Sequence, residues 1–214
     1  DLDGVCADHT AGFRAIVAER RGVEPAALPL ERSWNYEEWG FGPDELDELR
    51  HHAVVECRMF RTLPMIEGAA ESLWRLSDAG AWIRILTHRL VVNFNHSEAV
   101  SDTVLWLDDH RIPYRDLCFL GAKPQVEADL YLDDAPPNIT ALRRAGNQVL
   151  VFDQPYNREL KDPRAHGWSE VEEHIMERLV AHSGEYGVQP RLPGLSSGAD
   201  RLTGADDHDA VVES

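Results

Sequence analysis

The chain has 214 residues, with 21 Lys plus Arg against 38 Asp plus Glu, a formal net charge of −17, and 43% hydrophobic and 28% charged residues. That is a globular composition, long enough to bury a core without staples. Three cysteines, Cys6, Cys57 and Cys118, are too few for a disulfide framework and point to a reducing, cytoplasmic setting. No run approaches the roughly 18 apolar residues of a membrane helix, and the start lacks a signal-peptide pattern, so membrane and secretory readings drop out. The negative balance, with Lys123 and Lys161 as the two lysines, argues against long nucleic acids. A small phosphorylated ligand stays compatible if a metal ion offsets the charge.

The chain opens on Asp1-Leu2-Asp3-Gly4-Val5, two carboxylates one residue apart followed by glycine. This suits a strand end turning into a loop, and equally an ordinary turn or helix cap. Residues 12–63 then carry a Pro-bearing stretch, an aromatic cluster (Trp34, Tyr36, Trp39, Phe41) and an acidic helical pattern from Asp44 to Met59. They read as an inserted, mostly helical subdomain. From Gly68 to Gly80 the positions Ala69, Leu73 and Leu76 share one helical face, with Gly80 where a C-terminal cap belongs. Trp82 to Leu86 reads as a strand. Ser97 can cap a helix with Val100, Val104 and Leu107 on one stripe, Arg111 in its last turn and Pro113 after it. Leu117–Leu120 and Leu130–Leu132 are further strand signals. A helix from about Asn138 points Ile139, Leu142 and Ala145 inward and stops at Gly146, before a strand over Gln148–Phe152. Ser169 and Glu172 form a capping box ahead of Val171, Ile175 and Leu179. Residues 183–214, rich in Gly, Ser, Pro and Asp, read as a disordered tail.

Alternating strands and helices predict an α/β fold: a three-layer, Rossmann-like parallel sheet with helices on both faces. The expected organisation is a core of residues 1–11 and 64–182, a helical cap of residues 12–63, and the tail 183–214. In such sheets ligands bind outside the carboxyl ends of the strands. Thr87 follows one predicted strand, Lys123 lies just past the next, and Asp133-Asp134 end a third. Each has a plain alternative: a loop cap, a surface charge, a helix N-cap. Together with the opening acids they would converge on one pocket.

This order of DxDGV, a threonine after an apolar strand, an isolated lysine and an acidic pair resembles the haloacid dehalogenase superfamily of phosphohydrolases over about residues 1–180. The long insertion after the first motif, the stretch Phe60-Arg61-Thr62-Leu63-Pro64 leading into Gly68-Ala69, and Thr87-His88-Arg89 look like the 5'(3')-deoxyribonucleotidase group. The resemblance implies a Mg²⁺-dependent phosphatase of a small phosphate monoester, with a deoxyribonucleoside monophosphate as the favoured substrate and a sugar phosphate or other small metabolite as the rival. Asp1 would be the nucleophile forming an aspartyl phosphate, and Asp3 the general acid and base. Asp1, the backbone carbonyl of Asp3, and Asp133 or Asp134 would hold Mg²⁺, with Asp134 favoured for direct contact. Thr87 would donate to a phosphoryl oxygen, and Lys123 would neutralise charge and hold Asp1. Among the cap aromatics, Trp34, Trp39 and Phe41 are candidate surfaces for a nucleobase, with the cap's own core as the alternative. The expected partners are a small phosphorylated metabolite or nucleotide and, where the chain dimerises, a second copy.

Zinc is disfavoured, because the histidines do not combine with cysteine at zinc-ligand spacing. A non-catalytic phosphate-binding protein on the same fold is a competing class, opposed by the complete set Asp1, Asp3, Thr87, Lys123, Asp133 and Asp134. A phosphorelay receiver domain is disfavoured, because there the phosphorylated aspartate follows a later strand than the acidic pair. In the superfamily the nucleophile ends a central strand, whereas here it is residue 1. A partial chain or a misassigned start is therefore one expectation.

Overall fold

The computed structural model describes residues 1–42, 44–90 and 95–182; the expected disordered tail lies outside the described residues. The elements run, in chain order, α1 (His9–Arg21), α2 (Glu45–His51), α3 (Met59–Thr62), α4 (Ala69–Asp78), β1 (Arg84–Thr87), α5 (His96–Asp109), β2 (Asp116–Phe119), β3 (Tyr131–Asp133), α6 (Pro136–Arg144), β4 (Val149–Phe152), β5 (Arg164–Ala165) and α7 (Trp168–His182). All strand pairings are parallel: β1 with β2, and β3 with β4 with β5. All four residues of β4 are buried, as parallel strands covered on both faces require. Leu2 is fully buried, and the nitrogen of Asp1 donates to Leu132 O of β3 at 2.7 Å, so the opening residues lie alongside that strand.

The first segment after the DxD motif leaves and rejoins the sheet layer at one place. Asp8 N donates to Pro64 O and Ile66 N donates to Cys6 O, both at 2.8 Å. Everything between, as far as it is described, consists of helices, single turns and loops. α1 begins where the Asp8 carboxylate accepts from Ala11 N, and it ends at Gly22, whose φ of 65° is the left-handed cap that glycine adopts without strain. The acidic pattern from Asp44 to Met59 is not one helix. α2 stops at His51, a wider turn covers His52–Glu56, and Arg58 takes φ 52° before α3. From there Arg58 makes a two-pronged ion pair with the buried carboxylate of Asp102 on α5.

Other differences have equally local causes. β1 starts at Arg84 rather than Trp82, whose exposed indole instead donates to Asp116. In α5 the buried face is Ala99, Asp102, Thr103, Trp106 and Leu107, and the expected stripe of Val100 and Val104 is turned partly outward. Periodicity counted only apolar residues, whereas this face includes a paired acid and a threonine that donates back to Ala99 O. Asn95, not Ser97, is the N-cap residue of α5, and Arg111 falls past its end with φ 51°. The capping box at α7 is not formed: Glu172 binds Arg75 and Ser72 of α4, and Glu170 accepts from His166 N. β5 has two residues, too short for a periodic signal, and exists by pairing with β4. α6 starts on Pro136 and Pro137, where prolines replace amides that have no helical partner, and it ends just before Gly146 as expected.

Trp106 ties α5 to the end of the inserted segment: it is fully buried and its indole donates to Leu63 O at 2.8 Å. Trp106→Ala should lower the unfolding free energy by about 3–5 kcal/mol, read from urea titrations at matched m-value.

Candidate active site

The carboxyl ends of the strands bring the expected residues together. Thr87 closes β1, Lys123 begins a single turn beyond β2, and Asp133 closes β3 with Asp134 after it. The Lys123 ammonium, buried, lies 2.7 Å from Asp1 Oδ2 and 2.7 Å from Asp133 Oδ2. One oxygen each of Asp1, Asp133 and Asp134 lies within 4.8 Å of the others. Thr87, Lys123, Asp133 and Asp134 are all buried, and the pairing of Lys123 with two acids answers the cost of burying its charge.

Within the acidic pair the two members differ. Asp133 uses both oxygens inside the protein: Oδ2 takes Lys123, and Oδ1 accepts from Ala135 N at 2.9 Å, with Asn138 alongside. Asp134 Oδ2 accepts from the Tyr156 hydroxyl, whereas its Oδ1 is buried with no hydrogen-bond partner. Thr87 Oγ1 is likewise buried and unpartnered. Burial, reinforced by the Asp133 charge and opposed by Tyr156 and Lys123, pushes the Asp134 carboxyl up to about 7.

These groups fit a divalent cation. An orphaned buried carboxylate oxygen, a second acid within reach and an all-oxygen donor set are what Mg²⁺ takes, and the unpartnered Thr87 hydroxyl suits a phosphoryl oxygen beside it. The backbone around Gly4 is equally tight. A Cβ there would stand 2.2 Å from Asp134 Oδ2 and 2.8 Å from the Tyr156 hydroxyl, and φ is 76°, so no side chain is accommodated.

Asp3 is held by a residue the sequence analysis did not single out as functional. Arg89, two residues past β1 and fully buried, donates through Nη2 to Asp3 Oδ1 at 2.6 Å and through Nε to Oδ2 at 3.0 Å. It also reaches Thr103 and lies over the Phe60 ring. Burial pushes the Asp3 carboxyl up, but the charge and hydrogen bonds of Arg89 outweigh it and hold the group below its ordinary range. The position of Arg89 just beyond a strand end was the available signal; its place among eighteen other arginines hid it.

The expected aromatic surfaces divide. Trp39 is buried against Phe13, Tyr36 and Phe41, and Phe41 also carries the Arg21 guanidinium on its face. Both belong to the inserted segment's own packing. Trp34 is 40% exposed and meets Tyr156 edge-on, 5.3 Å between centroids, which places it beside Asp134's partner. Tyr156, Gln154 and Asn157, in the loop after β4, were also missed. Gln154 Nε2 donates to Gly4 O, and Asn157 Nδ2 to Asp134 O.

His9 lies behind Asp3, its Nδ1 3.2 Å from the Tyr36 hydroxyl. Desolvation, aided by Arg32 and Arg89 and opposed by Asp3, lowers its pKa from 6.5 to about 4. The unfolded chain then binds a proton on this ring at higher pH than the folded one. The stability this gives is complete above pH 6.5 and is lost as the pH falls toward 4. His9→Gln should narrow the difference in urea stability between pH 7 and pH 4.5 by about 1–2 kcal/mol.

Comparison with known proteins identifies the family. The sequence profile of the 5' nucleotidase, deoxy (pyrimidine), cytosolic type C proteins matches residues 1–183. A putative 5'(3')-deoxyribonucleotidase of Chlorobaculum tepidum is 44% identical over 172 residues, 80% of this chain and 85% of that protein. Another from Bordetella pertussis is 30% identical over 171 residues, 78% of this chain and 89% of that protein. Among solved structures, a haloacid dehalogenase-like hydrolase from Streptococcus pneumoniae superposes with a TM-score of 0.55 at 16% identity, covering 82% of this chain and 95% of the other, a likeness of fold. The chain belongs to the deoxy, cytosolic type C 5'-nucleotidase family, haloacid dehalogenase-like hydrolases of phosphoric monoesters.

Proposed function

We propose that the chain hydrolyses deoxyribonucleoside monophosphates through an aspartyl-phosphate intermediate on Asp1, with Mg²⁺ bound beside it. The observation that carries this reading is the Lys123 ammonium set between Asp1 and Asp133, with Asp134 Oδ1 unpartnered next to them. The names of the Chlorobaculum and Bordetella relatives support the substrate class.

An Asp1 carboxylate oxygen attacks phosphorus while the ester bond to the sugar oxygen breaks and that oxygen takes a proton from Asp3. Asp3, ionised again, then removes a proton from water, whose oxygen attacks the acyl phosphate and releases inorganic phosphate from Asp1. Lys123 fixes the attacking carboxylate, and the Thr87 hydroxyl donates to a phosphoryl oxygen. Asp1, the Asp3 carbonyl and Asp134 would hold Mg²⁺, which would supply positive charge against the phosphoryl oxygens. The Arg89 pairing suits Asp3 to the second half-reaction, in which it acts as a base. For the first half it must take up a proton, so the approach of the leaving group has to displace Arg89 from at least one carboxylate oxygen. The inserted helices cover the crevice as a cap, with Trp34 as the exposed aromatic beside it.

Phosphate release should be abolished by EDTA and restored by Mg²⁺, and Asp1→Asn should reduce kcat by roughly 10⁴-fold with near-UV circular dichroism unchanged. Retained turnover in Asp1→Asn removes the nucleophile assignment. In a panel of nucleotides and sugar phosphates, deoxyribonucleoside monophosphates should give the highest kcat/KM; a sugar phosphate at the top overturns the substrate reading and leaves the chemistry.

A further inference from the structure

One side chain touches both the acidic pair and the inserted segment. Tyr156 sits in the single turn Pro155–Asn157 beyond β4. That turn is anchored on three sides: Asn157 Nδ2 donates to Phe152 O and to Asp134 O, and Gln154 Nε2 donates to Gly4 O, each at 2.8 Å. The Tyr156 hydroxyl donates to Asp134 Oδ2, leaving Oδ1 as the unpartnered oxygen. The absent side chain of Gly4 makes room for this arrangement, since a Cβ would overlap both partners.

The opposite face of the ring carries the inserted segment. The buried Arg32 guanidinium lies 4.2 Å from the Tyr156 centroid and 3.8 Å from that of Tyr36, a cation between two rings. Its Nη2 donates to Thr10 Oγ1 at 2.8 Å and its Nη1 to Ser33 O at 2.9 Å, so the ion is fixed where it stacks. Trp34 meets the same ring edge-on, and Glu31 pairs with Arg158 two residues past Tyr156. The loop of residues 31–36 therefore rests on the ring whose hydroxyl orients Asp134.

We propose that Tyr156 is a positioning residue that dedicates Asp134 Oδ1 to a divalent cation and makes cation affinity depend on the seating of the 31–36 loop. The inference rests on the metal-dependent reading above. A carboxylate free to rotate about χ2 would present either oxygen; with Oδ2 tied to a phenol held by Arg32, one oxygen and one direction remain. Hydrogen-bonded partners of metal ligands act in this way generally.

The test is Mn²⁺ binding to the substrate-free full chain, followed by calorimetry and by electron paramagnetic resonance of free Mn²⁺. Tyr156→Phe keeps the ring and should weaken Mn²⁺ by about 10-fold, the lower end for losing such a partner, with kcat recovered at saturating metal. Arg32→Met touches no acid of the cluster and should still weaken Mn²⁺ by about 3-fold, while raising protease cleavage within residues 31–36. Near-UV circular dichroism identifies any variant that fails to fold, and Tyr156→Trp, which retains a ring and loses the hydroxyl, then replaces Tyr156→Phe. Wild-type affinity in the hydroxyl-deleted variant overturns the orienting role. Wild-type affinity in Arg32→Met overturns the coupling. A wild-type chain that binds no Mn²⁺ removes the metal-dependent reading, and this inference with it.

Discussion

The structure is organised around a charge that must be balanced in a dry place. Asp133 and Asp134 are buried, with Asp1 beside them, and the Lys123 ammonium is in direct contact with Asp1 and Asp133. A lone buried carboxylate costs several kcal/mol or takes a proton instead. Lys123 settles that cost for two of the three acids and leaves the third with its pKa near 7. The imbalance leaves one carboxylate oxygen of Asp134 buried and unpartnered, the feature on which the proposed cation site rests. Because these side chains come from the ends of β2 and β3 and from the opening segment, which is tied to β3 through Asp1 N and Leu132 O, the arrangement of the strands is what brings them within reach.

Arg89 does the same for Asp3 from the other side, and here the pairing is complete, with two donors on one carboxylate. The two acids of the DxD motif thus sit in opposite environments two residues apart. Asp1 faces a lysine shared with another carboxylate, while Asp3 faces an arginine it has nearly to itself. Different environments for chemically identical groups are how one site separates a nucleophile from a proton carrier. The inserted helices contribute from outside the sheet: Phe60 lies under Arg89, and Arg32 braces Tyr156.

Much of this was legible before any coordinates. Strand and helix alternation gave parallel pairing, the strand ends located Thr87, Lys123 and the Asp133-Asp134 pair, and the rarity of lysine drew attention to Lys123. Other features were misread for definable reasons. The α5 stripe failed because Asp102 is buried by virtue of Arg58, 44 residues away, and hydrophobicity alone cannot register a paired acid. The aromatic cluster could not be divided by inspection, since Trp34, Trp39 and Phe41 are equally apolar and only packing separates Trp39, buried at 3% exposure, from Trp34 at 40%.

By itself, the sequence determined which chemistry is on offer: oxygen ligands, a single nearby lysine, a threonine, and a glycine that suits a turn after the two opening acids. Those are properties of residue types and local spacing, and they survive without tertiary information. Tertiary structure alone decided the partnerships, Arg89 with Asp3 and Tyr156 with Asp134, across 86 and 22 residues. The reason is physical: a partner for a buried charge is selected by distance in space and by the exclusion of water, and neither quantity exists until the strands are side by side.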